Sequence, residues 1–193
     1  MDRLAQARKL AIAALGEPPP VAQLLAPLDY ILSDHFRQRS LCKAVEDLAN
    51  ADDFDREMAE AVLRFMKSDF GLHVIDEEED LFPLLRRRAL PEDDINMVLG
   101  ALSLEHASDH DDAERIVEGL AQALETRRAD FPDAEFAALL KRFAAGERRH
   151  LIVENAIVMP LARARLNDDD LRNLGRRMAA RRGIDYPEKK HAV

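Results

Sequence analysis

A twelve-residue pattern occurs twice in this chain of 193 residues, as His73-Val-Ile-Asp-Glu77-Glu-Glu-Asp-Leu-Phe-Pro83-Leu84 and as His150-Leu-Ile-Val-Glu154-Asn-Ala-Ile-Val-Met-Pro160-Leu161. Both copies read H-x-x-x-E and place Pro-Leu at the same offset. On an α-helix, a His and a Glu four residues apart lie about 40° apart in azimuth and about 6 Å apart along the axis. Both side chains of a pair therefore leave one face of the helix. One nitrogen ligand and one oxygen ligand, presented twice, is what a two-metal centre inside a helix bundle needs.

The rest of the chain supplies such a bundle. Only 7 Gly and 9 Pro interrupt it, aromatic residues make up 5%, and hydrophobic residues make up 47%. That mixture favours an all-α fold. A short helix is expected over Arg3–Leu15, ended by Gly16 and by Pro18, Pro19 and Pro20. Four long amphipathic segments follow at about Val21–Ala49, Phe54–Arg88, from Pro91 through Leu124, and Asp133–Leu166. Their apolar stripes contain His35 on the first, His73 and Glu77 on the second, His106 and His110 on the third, and His150, Glu154 and Ile157 on the fourth. A last short helix over Asp168–Arg182 leads into a polar tail with His191. The expected architecture is an up-down-up-down antiparallel four-helix bundle with short extra helices at both ends. Residues 1–20 form the accessory helix and Pro-rich turn, 21–166 the bundle, and 167–193 the terminal helix and tail.

The net charge of −9 argues against a nucleic-acid binder, which needs a basic face, and gives no reason to expect an anionic membrane as partner. No apolar run approaches the ~20 residues of a membrane span. The single cysteine, Cys42, excludes an intrachain disulfide. The N-terminal residues lack the apolar core of a signal peptide, so a reducing cytoplasm is the expected location.

Five of the six histidines fall near the middle of a stripe, and antiparallel helices bring mid-helix positions to one level. Two carboxylates on the same stripes are costly to bury without cations, and a metal cluster supplies the positive charge. Five imidazoles and two carboxylates are too nitrogen-rich for Mg²⁺ or Ca²⁺ and offer no thiolate for structural zinc. The third-helix H-x-x-x-H is not a zincin motif, because Ala107 stands where that motif has Glu. Glu147 and His150 form one E-x-x-H pair, but Phe70 stands in the matching place before His73, so the ferritin-like pattern is incomplete. An iron pair fits best, with manganese or a mixed pair as the alternative.

With one His on the first helix, H-x-x-x-E on the second and fourth, and H-x-x-x-H on the third, the chain resembles the hemerythrin-like family, the HHE cation-binding domain, in its bacterial form, over roughly residues 21–166. The resemblance implies a non-haem di-iron centre. It implies that His106, His110 and His150 bind one iron, that His35 and His73 bind the other, and that Glu77 and Glu154 bridge them with an oxo or hydroxo ligand. The iron with two histidines would then keep an open position for O₂, peroxide or NO. Oxygen-carrying members usually place Asp five residues after the fourth-helix His; here that residue is Asn155, and the carboxylate is Glu154.

These readings lead to a small-molecule sensor or handler of oxidants. The rival readings are a di-iron enzyme that reduces peroxide or NO or donates iron for cluster repair, and an iron storage or homeostasis protein. Any signalling output would pass to a partner protein or through the terminal segments, and the N-terminal helix either covers the bundle or pairs with a second copy in a homodimer. Cys42 is expected as a small core residue, with a thiol that responds to oxidants as the sharper reading. Arg39 is expected to reach solvent, with a place on the access path to the open iron as its alternative.

Overall fold

The computed structural model describes residues 3–126 and 131–187; His191, which figures in the sequence reading, lies outside them. All regular elements among the described residues are helical. They are α1 (Arg3–Gly16), α2 (Pro27–Ala49), α3 (Arg56–Phe65), α4 (Gly71–Ile75), α5 (Phe82–Arg88), α6 (Ile95–Thr126), α7 (Ala134–Val153), α8 (Met159–Arg165) and α9 (Asp168–Arg181).

Helices α3, α4 and α5 are stretches of one rod, joined by π-helical turns at Met66–Phe70 and Asp76–Leu81. Helices α7 and α8 are likewise joined by a π-helical turn at Glu154–Val158. The repeated sequence pattern thus has a repeated structural consequence. In each copy the Glu lies in a π turn, and Pro83 or Pro160 sits at the start of the helix that follows. A proline inside a helix lacks an N–H and crowds the carbonyl four residues back. The wider π turn absorbs that conflict without breaking the rod.

Helix α2, the α3–α5 rod, α6 and the α7–α8 rod form a four-membered ring in which α2 packs on α7 and α3, and α6 packs on α7 and α3. Two apolar clusters fill it. One contains Leu41, Val45, Val62, Phe65, Ile116, Leu120, Leu140 and Phe143. The other contains Ile31, Leu81, Phe82, Leu99, Leu102, Val158 and Met159. On α2, the α3–α5 rod and the α7–α8 rod the sequence between the two clusters carries buried polar residues, and on α6 it carries the partly buried His106 and Asp109, so a polar layer crosses the bundle at mid-height.

The first long helix starts at Pro27 rather than Val21. Val21–Leu25 is a separate 3₁₀ turn, and Ala26 leaves the helical region at ψ 71°, as expected for a residue before proline. Pro91 likewise opens a 3₁₀ turn, Pro91–Asp93, instead of α6. Asp55 and Asp133 cap α3 and α7, accepting from the backbone N–H groups of Met58 and Phe136.

Both end helices dock on the bundle. The Arg37 guanidinium donates to the carbonyls of Ala14 and Leu15 at the end of α1. Helix α9 covers the second apolar cluster with Leu174 and Met178. It comes so close to the Val21–Leu25 turn that a Cβ on Gly175 would lie 2.2 Å from the Leu24 carbonyl oxygen. No described helix is long and apolar enough to cross a membrane.

Candidate metal centre

Six of the seven residues read from the sequence meet in the polar layer: His35, His73, Glu77, His106, His150 and Glu154. They form two groups whose ligand atoms lie within 4.8 Å of one another. One group is His35, His73, Glu77 and Glu154; the other is His106, His150, Glu77 and Glu154. Both carboxylates belong to both groups. Each group therefore offers two imidazoles and a share in two carboxylates.

The imidazoles present the same atom to the centre. Nε2 of His35 lies 3.5 Å from both Glu77 and Glu154. Nε2 of His73 is 3.4 Å and that of His106 is 3.5 Å from Glu77, and Nε2 of His150 is 2.8 Å from Glu154. The outer nitrogens are held from behind. His106 Nδ1 donates to Glu78 at 2.6 Å, and His150 Nδ1 donates to Glu105 at 3.0 Å. His35 Nδ1 pairs with the Asn155 carbonyl oxygen at 3.1 Å, while the Asn155 amide donates to the Leu151 carbonyl. Such partners fix the ring plane and keep the proton on Nδ1, which leaves the Nε2 lone pair for a cation. Glu78, Glu105 and Asn155 were not identified in this role from sequence. The available signal was their spacing: Glu78 follows a ligand directly, Glu105 precedes one, and Asn155 follows Glu154.

Without a cation the layer balances its charge with protons. Burial opposes a charge on His73 and His150, but Glu77 beside the one and Glu154 beside the other outweigh it, and both imidazoles are pushed up to about 10. Burial likewise works against an ionised Glu77, but His73, with His106 and His35, overrides it and holds that carboxyl well below its usual range. Glu154 moves upward through burial and its neighbour Glu77. Even so, Nδ1 of His73 and one oxygen each of Glu77 and Glu154 are buried without a hydrogen-bond partner. A donor set of four imidazoles and two shared carboxylates with unspent lone pairs fits divalent or trivalent metal ions.

His110 is not part of this set. Its side chain is 70% exposed and lies 3.3 Å from Glu114. The reason is the helical phase. The inward line of α6 runs through Leu99, Leu102, His106, Asp109, Ala113, Ile116, Leu120 and Ala123, alternating steps of three and four, with Ile116 and Ala123 essentially inaccessible. The expected stripe took the next residue, His110, Val117 and Leu124, at three of those steps. Ile157, expected to point inward, is 43% exposed, because the π turn that begins at Glu154 rotates the residues after it. Arg39 is exposed, as expected for a side chain that reaches solvent, and Gln38 takes the buried position beside it. Cys42 is fully buried in the first apolar cluster, and burial, reinforced by nearby Glu147, pushes its thiol up to about 12. It is a core residue and not a thiolate nucleophile.

Glu147, noted in the sequence only as half of an E-x-x-H pair, is buried in the same layer with Oε1 unpartnered. Behind the ligands stands a second set of charges. Arg182 pairs with Asp76 at 2.6 Å and with Asp34 at 3.7 Å, and Arg37 pairs with Asp34 at 3.0 Å. Asp34 precedes His35 and Asp76 precedes Glu77. The end of α9 is thus tied to the backbone that carries two of the ligands.

The fold and this cluster define a helical-bundle protein built to bind cations between its rods. The family model of the hemerythrin HHE cation-binding domain matches residues 26–162, so the chain belongs to that family. No curated protein matches it.

Proposed function

We propose that the chain is a non-haem di-iron protein that binds a small oxidant such as O₂, peroxide or NO. His35 and His73 would hold one iron, His106 and His150 the other, with Glu77 and Glu154 shared between them. The observation that carries this reading is that both carboxylates belong to both ligand groups, as a two-metal site requires and two independent sites would not. When bound, the iron pair would supply two one-electron redox centres for a small oxidant.

The remaining chemistry belongs to the chain. Glu78, Glu105 and Asn155 orient three of the four imidazoles. The two apolar clusters keep bulk water from both ends of the layer. The four histidines divide evenly, so the unequal split of three and two that His110 would create is absent from the proposal. Manganese in place of iron would use the same donors.

Elemental analysis of purified protein tests this: about two irons per chain are expected, with an optical spectrum that changes between the reduced, air-exposed and peroxide-treated states. One metal per chain, or a spectrum indifferent to oxidants, would refute it.

A further inference from the structure

Between the Met66–Ile75 stretch and α6 lies a cavity of about 330 Å³. Phe70, Val74, Ala113 and Val117 line it with apolar surface, His106, Asp109 and Glu147 supply polar groups, and the exposed pair His110 and Glu114 also borders it. Glu147 is 4% exposed and its Oε1 has no hydrogen-bond partner. The cavity therefore meets the metal centre at His106 and contains a buried carboxyl group whose bonding capacity is unspent.

Its size and lining select an occupant. A water takes about 30 Å³ of liquid volume, so a diatomic molecule or hydrogen peroxide fills only a small part of this space. The volume matches the lower end of pockets for small organic molecules, which are mostly apolar with a few placed polar groups. An anionic head would face three carboxyl groups, those of Asp109, Glu114 and Glu147, against the single His110 that Glu114 already engages. A cationic head would face the metal ions held through His106. A neutral group that donates a hydrogen bond satisfies Glu147 without either conflict.

We propose that this cavity binds a small apolar molecule carrying one neutral O–H group, as alcohols and organic hydroperoxides do, with that group donating to Glu147 beside the metal centre. The proposal rests on the metal-centre reading only through His106. It deepens that reading by naming an organic ligand class in addition to the free oxidant.

The test is calorimetric binding to the full chain loaded with metal, with three probes of one shape. These are 2-phenyl-2-propanol, cumene hydroperoxide (on zinc-loaded protein, where no electron transfer consumes it) and cumene, which lacks the O–H. Both O–H probes should bind about tenfold more tightly than cumene, and the tighter of the two identifies the natural head group. Glu147→Leu should remove that preference and Glu147→Gln, which keeps an acceptor, should retain it. Ala113→Phe and Val117→Phe should each abolish binding of all three while metal content stays at the wild-type level. Absence of probe binding to fully loaded protein overturns the cavity proposal and leaves the metal centre intact, and so does binding indifferent to both Phe substitutions. Protein that binds the alcohol but holds no metal sinks the metal reading and keeps the cavity.

Discussion

Replacing Glu147 by Gln isolates the cost of a buried carboxylate in this bundle. Burial pushes the Glu147 carboxyl from 4.5 up to about 7; the positive charge of His150 opposes this and Glu154 adds to it. The group is almost inaccessible, so no discount for solvent screening applies. A rise of about 2.5 units corresponds to about 3 kcal/mol at about 1.4 kcal/mol per unit. The folded-state value lies above the unfolded one, so the native state holds this proton more tightly. The benefit is complete below pH 4.5 and is lost as pH rises through 7, so wild-type stability falls across that window and then levels. Glu147→Gln keeps the shape and removes the titration. On metal-stripped protein its stability relative to wild type should be near zero at pH 4.5 and should reach about 3 kcal/mol in favour of the variant at pH 8. Iron loading should shrink the gap, because positive charge nearby favours the ionised carboxylate. Urea unfolding at a series of pH values measures this directly. A difference that does not vary between pH 4.5 and 8 would refute the reasoning and show that Glu147 is ionised in the native state at little cost.

His73→Ala and His150→Ala should each lower iron content sharply, whereas His110→Ala should leave it unchanged and alter stability by no more than about 0.5 kcal/mol; metal analysis beside thermal melts separates the two outcomes. His73 and His150, raised to about 10 in the metal-free protein, contribute stability that is complete below their unfolded value of about 6.5. It is lost as pH rises to 10, so the apo form should melt at progressively lower temperature over that window, and a flat profile would contradict the charge balance described. Gly175→Ala places a methyl group against the Leu24 carbonyl, which neither backbone can easily yield, and should cost about 1–3 kcal/mol by urea unfolding. Arg182→Ala removes one of the two guanidinium partners of buried Asp76 and leaves Arg181; it should destabilise by about 1–3 kcal/mol, while Asp76→Asn in the same background should recover part of the loss.

The sequence by itself determined the bundle, because long amphipathic periods separated by Pro- and Asp-rich turns allow few other folds. It also determined four members of the cluster, His73, Glu77, His150 and Glu154, because a ligand four residues from its partner must share a helix face whatever the tertiary structure, while His35 and His106 followed only from their places on apolar stripes. It could not determine the phase of α6. At 3.6 residues per turn, His110 is nearly as compatible with the apolar stripe as Asp109, and only the packing of Ile116 and Ala123 against the other rods decided between them. Local spacing was also blind to Glu78, Glu105 and Asn155, whose partners lie 28, 45 and 120 residues away. The cavity beside His106 and the tie from Arg182 to Asp76 likewise join rods that meet only after folding. What lies on one helix face follows from periodicity, and what lies between helices follows from packing.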